Sequence, residues 1–327
     1  MSVLNDSNVC GPVYAITWNG EISIGRKGAM AGERAGEPDE AELVLDARAE
    51  HGEGPLWYAA ENVLVWVDIA RHLVHLYDPA SGDDRAIDVG QPVSAVAPRA
   101  AGGLVVAIQE GYAALDTASG HVELIAPVEK VHTPTRMNDG KCDSAGRFWA
   151  GTMALNQQRG AGTLYRLERD HSVTAVLRHV TVPNGPAWSR DNRTMYFTDS
   201  ATGGVDAYDF DPRTGAMSNQ RRFVSLPSDV GVPDGMTVDA DDYLWVAVWG
   251  GGAVHRYTPT GELARVVKLP VSLVSCPTFG GSDLADLYIT TSPEGLGAEE
   301  RRRQPHAGSL FRCRPGVTGL PPFAYQG

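Results

Sequence analysis

Glu53-Gly54-Pro55-Leu56-Trp57 is a small polar turn that leads into an apolar strand, and the chain uses this arrangement six times. Clear copies begin at Asn138, Asn184 and Asp234, and fainter copies begin at Ser94 and Ser275. We call these six lead residues the markers. They are separated by 41, 44, 46, 50 and 41 residues. A period near 45 with several strand-like runs per unit is typical of a β-propeller.

Each unit repeats the same order of elements after its marker. In the fourth unit, the apolar strand is followed by a turn at Ser189-Arg190-Asp191-Asn192, an aromatic strand at 194–198 and another strand at 205–210. No long amphipathic helical pattern interrupts the series, apart from a possible turn at Gly297 to Arg303. The sequence therefore predicts an all-β fold, a six-bladed β-propeller with an N-terminal extension.

The two ends of the chain define the predicted domain limits. Residues 1–40 do not fit the period and form the predicted extension, which holds a polar linker at 32–40 and a possible hairpin around Asn19-Gly20. The propeller domain is predicted over 41–327. Leu43-Val44-Leu45 precedes the first marker without a blade of its own, so we expect it to complete the sixth blade and close the ring.

Composition excludes several classes of function. The formal charge of −12 argues against nucleic-acid binding, since polyanions need a basic surface. No apolar run approaches the roughly 20 residues of a membrane span, and Met1 to Asn19 lacks the pattern of a signal peptide. We expect a cytoplasmic protein without a membrane partner. The four cysteines are scattered and predict free thiols rather than a disulfide framework.

The markers predict a cation site. Any single Asn-Gly or Asp-Gly is most simply a turn, because these residues tolerate positive φ. Equivalent positions of successive blades, however, converge on the axis of a propeller, so Glu53, Asn138, Asn184 and Asp234 should meet at the mouth of its channel. Their oxygen atoms suit a hard divalent cation such as Ca²⁺, Mg²⁺ or Mn²⁺. His51 and His132 lie near markers and could line the site, but a surface role is the simpler expectation for each.

Other catalytic patterns are missing, and one arginine stands out. The chain has no GxSxG elbow, GxGxxG motif or P-loop, so serine-based acyl transfer is unsupported. Arg136 precedes Asn138 by two residues, and on an extended segment both side chains share one face. Arg136 could hold a substrate oxygen beside the cation, and an ion pair at the channel mouth is an equal alternative.

Several motifs together resemble a known family. Glu-Gly-Pro-Leu-Trp (53–57), the run from Arg136 to Met153, Pro-Asn-Gly-Pro-Ala-Trp (183–188), Pro-Asp-Gly-Met (233–236) and Cys-Pro-Thr-Phe-Gly-Gly (276–281) are similar to the senescence marker protein, regucalcin and gluconolactonase family. The resemblance extends from about Glu42 to Arg314. It implies a six-bladed propeller that binds one divalent cation and hydrolyses sugar lactones to aldonic acids.

The resemblance also assigns roles to individual residues. It implies that Glu53, Asn184 and Asp234 bind the metal and that Arg136 and Asn138 bind the substrate. Asn156 falls where the family often places a substrate-facing Glu after Gly-Thr-Met, and it is expected to bind substrate here through a neutral amide. We expect one cation, with Ca²⁺ first and Mg²⁺, Mn²⁺, Zn²⁺ and Fe²⁺ also open.

The resulting hypothesis is a metal-dependent carboxylic-ester hydrolase whose partner is a small sugar lactone. Asp234, or a water beside it, is the predicted general base, and a water activated by the cation is the rival nucleophile. The loop from Ser292 to Gly308 is the expected lid. A phosphotriesterase-like hydrolase and a non-enzymatic calcium-binding regulatory protein are the alternatives. The gluconate, galactonate, arabinonate and xylonate precursors all remain possible substrates.

Overall fold

The computed structural model describes residues 39–129 and 134–327 of the chain. Within these ranges the chain forms 25 β-strands, a 3₁₀ turn at Ser200–Thr202 and one short α-helix, α1, at Ala298–Arg303. The possible turn predicted at Gly297 to Arg303 is thus a helix of six residues. The predicted hairpin around Asn19-Gly20, Cys10 and His132 lie outside the described residues.

After two short strands, β1 (Asp39–Glu40) and β2 (Glu42–Leu45), the strands occur in five groups of four and a last group of three. The first three groups are β3 (Gly52–Tyr58), β4 (Val63–Asp68), β5 (Leu73–Tyr77) and β6 (Asp84–Asp88); β7 (Val93–Pro98), β8 (Leu104–Ile108), β9 (Gly111–Leu115) and β10 (Val122–Pro127); and β11 (Thr135–Cys142), β12 (Phe148–Ala154), β13 (Gly162–Leu167) and β14 (Val173–Val180). The last three are β15 (Pro183–Trp188), β16 (Thr194–Asp199), β17 (Gly204–Asp211) and β18 (Ala216–Ser225); β19 (Val232–Val238), β20 (Leu244–Trp249), β21 (Ala253–Tyr257) and β22 (Leu263–Lys268); and β23 (Val274–Gly280), β24 (Asp286–Thr291) and β25 (Leu310–Cys313).

Each group forms its own sheet, in which every strand pairs with the next one along the chain in antiparallel fashion. The six sheets are the blades of a propeller, which confirms the predicted fold. The first strand of each blade contacts the first strands of both neighbouring blades, so these six strands, called the inner strands, surround the axis. They carry the six markers.

Every inner strand has an irregular register at its marker. The pairing shifts between Glu53 and Leu56, Val93 and Ala95, Met137 and Gly140, Asn184 and Ala187, Pro233 and Met236, and Val274 and Cys276. A β-bulge of this kind bends the strand and redirects a side chain. The six bulges therefore lie at one level of the ring, where they direct the markers toward the axis.

The ring closes through strands from opposite ends of the chain. In the sixth blade β2 forms the outer strand and pairs with β25, with Glu42 opposite Arg312 and Leu43 opposite Phe311. The predicted closing role of Leu43-Val44-Leu45 is confirmed. The strand β1 lies parallel to β22 at the outer edge of the fifth blade.

Blade packing depends on large buried aromatic residues, as the sequence predicts. Trp57, Trp66, Trp149, Trp188 and Trp245 are all buried. Two of them are fixed by a buried aspartate in the preceding turn: the indole Nε1 of Trp149 donates to Asp143 (2.8 Å), and that of Trp245 donates to Asp239 (2.8 Å). These bonds satisfy the polar edge of each ring while its faces pack between blades.

The last residues of the chain cover the end of the channel away from the markers. Leu320 to Phe323 line a cavity of about 100 Å³ there, together with later residues of the inner strands. Tyr325 is fully buried, and its hydroxyl donates to the carbonyl oxygen of Glu168 (2.8 Å). The marker end of the channel, called the mouth below, is the end at which the inner strands begin.

Candidate metal centre

Glu53 lies on the first inner strand and is only 3% exposed. Its Oε2 accepts a hydrogen bond from the backbone N–H of Gly54 (2.8 Å), which holds the carboxylate in place. Gly54 has a φ of +53°, and a Cβ there would meet the carbonyl oxygen of Ser94 at 3.2 Å. The bulge therefore needs glycine next to Glu53, and Oε1 is left available for a ligand.

Asn138 and Asn184 are joined to each other across two blades. The amide nitrogen of Asn138 donates to Asn184 Oδ1 (2.9 Å) and to the carbonyl oxygen of Pro183 (2.8 Å). The amide nitrogen of Asn184 donates to Ser200 Oγ (2.9 Å), whose hydroxyl donates to Pro233 O (2.6 Å). These bonds fix the orientation of both amides, and Asn184 Oδ1 keeps one unused lone pair.

Asp234 is the least satisfied member of the group. It is 7% exposed, and its Oδ1 is buried without a hydrogen-bond partner among the residues the structure describes. Burial raises the pKa of Asp234 well above its usual range, and repulsion from Asp139 adds to this shift. Burial likewise raises the pKa of Glu53, with further repulsion from Asp234 and Asp139. A buried, unpartnered carboxylate oxygen is costly unless a cation binds to it.

The two carboxylate markers differ from the other four in their hydrogen bonds to the next blade. Where a marker can donate a hydrogen bond, it binds the next blade: Ser94 donates to Asn138 O (2.7 Å), Asn138 to Pro183 O and Ser275 to Gly52 O (2.6 Å). Asn184 reaches the fifth blade through Ser200. An ionised carboxylate has no proton to donate. When ionised, Glu53 and Asp234 therefore cannot complete the ring and instead present acceptors to the channel.

The residues present fit a hard divalent cation. Glu53, Asp234 and Asn184 offer two carboxylates and one amide oxygen, all buried and held by their own strands. Such ligands suit Ca²⁺, Mg²⁺ or Mn²⁺. The unpartnered Oδ1 of Asp234 is the observation that favours a cation over a simple hydrogen-bonded core.

Comparison with known proteins gives the family. Residues 51–293 match the family model described as the SMP-30/Gluconolactonase/LRE-like region. The chain belongs to the SMP-30/gluconolactonase/LRE-like family. Regucalcin from Gallus gallus is 40% identical over 293 residues, which cover 88% of this chain and 98% of that protein.

Two solved structures resemble this family member along most of its length. One is a calcium-binding protein, regucalcin, from Agrobacterium tumefaciens, with 29% identity and a TM-score of 0.85 over 88% of this chain and 98% of that one. The other is a luciferin-regenerating enzyme, with 31% identity and a TM-score of 0.82 over 88% and 99% of the two chains. The predicted family resemblance is confirmed.

In this SMP-30-like chain, Arg136 lies beside the carboxylates as its spacing from Asn138 predicts. Its guanidinium donates to Asn138 Oδ1 (2.6 Å) and to the carbonyl oxygen of Met137 (2.9 Å). Burial lowers the pKa of Arg136, while the charges of Glu294, Glu53 and Asp234 oppose that shift. A half-buried arginine near three carboxylates can hold an oxygen atom of a small molecule at the mouth.

Asn156 is placed differently from the other predicted substrate residues. It is exposed in the turn after β12, where its Oδ1 accepts a hydrogen bond from the N–H of Gln158 (3.1 Å). The structure does not bring it into the hydrogen-bonded group of Arg136, Asn138 and Asn184. Its contact with substrate stays a prediction.

A buried cluster below the markers was missed by the sequence reasoning. Ligand atoms of Glu53, Asp139 and Cys276 lie within 4.8 Å of one another. Both oxygens of Asp139 accept backbone hydrogen bonds, from Gly140 (2.7 Å) and Gly185 (2.9 Å), and Lys141 supplies a nearby positive charge. Burial raises the pKa of Cys276, which keeps its thiol protonated without a metal. Asp139 and Cys276 are thus better satisfied than Asp234.

His51 is more buried than the surface role expected from the sequence. Its side chain is 13% exposed, contacts Glu294 through Nδ1 and stacks on Trp249 with ring centroids 5.7 Å apart. Only the position of His51 two residues before Glu53 indicated this in the sequence.

Over residues 39–129 and 134–327, no helix is long and apolar enough to cross a membrane.

Proposed function

We propose that this protein is a divalent-cation-dependent lactonase that opens sugar lactones to aldonic acids. The observation that carries the proposal is the unpartnered buried Oδ1 of Asp234, which lies in one channel with Glu53 and Asn184. Arg136 and Asn138, hydrogen-bonded to each other at the mouth, provide the polar surface that a polyhydroxylated substrate requires. The family description, which includes gluconolactonase, supports the reaction class.

Glu53, Asn184 and Asp234 would hold the cation through their free oxygens. Bound there, it supplies a positive charge that polarises the lactone carbonyl and stabilises negative charge on its oxygen. Ca²⁺ is our first choice, because the ligand set contains oxygen alone and a structural relative is described as calcium-binding.

The protein's own residues position the lactone and move the proton. Arg136 and Asn138 donate hydrogen bonds to substrate oxygens, and Asn156 is proposed to contact the outer hydroxyls. Asp234 accepts a proton from the water that attacks the carbonyl carbon. As the bond between that carbon and the ring oxygen breaks, the proton passes to the ring oxygen, which leaves as a hydroxyl group. The product is an open-chain carboxylic acid.

Acid release from glucono-δ-lactone, followed with a pH indicator, tests the function directly. We expect hydrolysis that stops after chelation and returns when Ca²⁺ is added. Asp234→Asn should lose both hydrolysis and cation binding, with a fall in kcat/KM of at least about 10³-fold. The matched control is Asp88→Asn, which makes the same charge change at an exposed site and should retain full activity.

Two outcomes would redirect the proposal. Tight Ca²⁺ binding in calorimetry without turnover of five- or six-membered aldonolactones would favour a calcium-binding regulatory protein, the role suggested by the name of the Agrobacterium relative. Faster turnover of an organophosphate triester than of any lactone would favour the phosphotriesterase alternative.

We also propose a cytoplasmic location and the division into an extension, 1–40, and a propeller domain, 41–327.

A further inference from the structure

Three side chains outside the metal centre meet at the mouth. His51 precedes the first inner strand, Trp249 ends β20 in the fifth blade, and Glu294 follows β24 in the sixth. The His51 ring stacks on Trp249 at an interplanar angle of 25°, and its Nδ1 contacts Glu294 Oε2. Three blades therefore contribute to one polar and aromatic wall, which we call the mouth wall.

The backbone around Glu294 is fixed to its neighbours. Ser292 donates through its N–H to Leu273 O (3.0 Å) and through its hydroxyl to Glu50 O (3.3 Å). The N–H of Glu294 then donates to Ser292 Oγ (3.0 Å). Glu294 is thus held by hydrogen bonds on both sides of the junction between the first and sixth blades.

The rest of the 292–308 segment is also anchored. Gln304 Oε1 accepts hydrogen bonds from the N–H (2.7 Å) and the hydroxyl (3.0 Å) of Ser272, and the N–H of Gly308 donates to Thr291 Oγ1 (3.1 Å). Since both flanks of α1 are tied to the blades, this segment forms part of the wall of the mouth. A lid motion of this segment stays a prediction, and the position of Glu294 does not depend on it.

One oxygen of Glu294 is free to bind a ligand. Oε2 contacts His51, whereas Oε1 has no hydrogen-bond partner among residues 39–129 and 134–327, and the side chain is 52% exposed. The bond with His51 lowers the pKa of Glu294, so the carboxylate is ionised at neutral pH. Its charge also acts on Arg136 and Asp234 across the mouth. The mouth thus presents a hydrogen-bond acceptor on the sixth blade and a donor on the third.

We propose that Glu294, oriented by His51, determines specificity by accepting hydrogen bonds from the hydroxyl groups of a neutral polyhydroxylated lactone. This inference rests on the proposed lactonase function for its substrate class. A charged acceptor opposite a charged donor favours substrates that carry hydroxyl groups over lactones without them. The same negative charge disfavours a lactone that carries a second carboxylate.

The test compares Glu294→Gln with wild type on glucono-δ-lactone and on δ-valerolactone, which has the same ring without hydroxyl groups. We expect kcat/KM for gluconolactone to fall about tenfold, mainly through KM, because one charged hydrogen bond is weakened. The value for δ-valerolactone should change by less than about twofold. His51→Gln, which leaves the carboxylate but removes the imidazole that contacts it, should give a smaller fall on gluconolactone alone.

Glu299→Gln is the matched control, because Glu299 is an exposed glutamate of the same segment that pairs with Arg303. It should behave as wild type on both lactones. Equal effects of Glu294→Gln on the two lactones, or no effect on either, would overturn the inference. Thermal unfolding of each variant shows whether an effect on both substrates comes from a damaged fold.

A binding measurement separates this inference from the proposed function. Methyl α-glucopyranoside is a cyclic polyol without a lactone carbonyl, and its Kd can be measured by titration of the Ca²⁺-loaded protein. We expect Glu294→Gln to weaken this binding several-fold, even if wild type were to hydrolyse no lactone. Hydrolysis of gluconolactone that does not depend on Glu294, with unchanged polyol binding, would retain the lactonase function and reject the specificity role.

Discussion

Glu53 and Asp234 occupy marker positions at which serine and asparagine elsewhere bind the neighbouring blade. The chemical difference is small, a carboxylate in place of a hydroxyl or an amide, but an ionised carboxylate has no donor at that position. The ring of hydrogen bonds is therefore open at two places, and both openings face the channel. The proposed cation site would lie at these two openings in an otherwise repeated arrangement.

The first prediction follows from the raised pKa values of Glu53 and Asp234. Without a cation, the folded protein retains protons that the unfolded chain releases above its ordinary carboxylate pKa. This contribution to stability is present at low pH and is lost as pH rises through the raised pKa values. In chelator, Tm should therefore fall between about pH 5 and about pH 8, and added Ca²⁺ should raise Tm more at the higher pH.

Scanning calorimetry at both pH values, with chelator and with Ca²⁺, measures this difference. Because the comparison is made at fixed pH, titrating groups far from the site cancel. Glu53→Gln should reduce the pH dependence of the Ca²⁺ effect. A Ca²⁺-induced rise in Tm that is equal at the two pH values would show that these carboxylates do not control cation binding.

The period of the sequence was enough to place Glu53, Asn184 and Asp234 on inner strands, since each stands at the same place in its repeat. Two-residue spacing likewise predicted the contact of Arg136 with Asn138. Glu294 could not be found in this way, because it lies in a segment that has no counterpart in the other units. One of the two hydrogen bonds that Asp139 accepts comes from the N–H of Gly185 in the next blade, and no local pattern in the sequence reveals it.

At the scale of the element, the β-bulge in each inner strand directs its marker toward the channel. In the fifth blade this bulge needs a residue without a side chain, because the inner strand of the sixth blade approaches closely there. A Cβ on Gly235 would lie 2.4 Å from Cys276 Sγ and 2.5 Å from Cys276 Cβ. The sequence showed the glycines as turn residues, but a bulge is a property of two paired strands, and its partner cannot be read from one of them.

The second prediction concerns this close approach. Gly235→Ala should lower the free energy of unfolding by about 2–3 kcal/mol, since the sixth blade must shift to admit the methyl group. It should also weaken Ca²⁺ binding, because Asp234 is the preceding residue. Urea unfolding in chelator measures the first effect, and calorimetric titration measures the second.

Gly297→Ala is the control for that substitution. Gly297 has a φ of −66°, and its nearest contact would be Glu300 Oε2 at 3.4 Å. Its effect on stability should stay within about 0.5 kcal/mol. If Gly235→Ala were equally mild, the inner strands would be less tightly packed at the bulge than the structure indicates.

At the scale of the whole molecule, the propeller depends on one pairing between the two ends of its chain. The strand β2 covers the edge of β25, and Glu42 forms an ion pair with Arg312 across this junction. The sequence predicted this closure from a strand without a blade of its own. It did not predict β1, because two residues beside β22 carry no periodic pattern.

The third prediction tests the closure by shortening the chain. A protein that begins at Ala47 lacks β2, and relative to one that begins at Glu37 its Tm should fall by about 10 °C. The uncovered edge of β25 should also promote association, visible by light scattering. A protein that begins at Ala41 keeps β2 and loses only β1, so its Tm should remain close to the reference. Equal Tm values for all three would mean that β25 needs no cover.

The C-terminal segment affects where substrate would enter the channel and where product would leave it. Leu320 to Phe323 line the cavity at the end of the channel away from the markers, so under the proposed function both substrate and product would pass through the mouth. Under that function, the acid product would have to leave past Arg136 and Glu294 before another lactone binds. Release of the acid can thus limit the rate of turnover, because Arg136 attracts its negative charge.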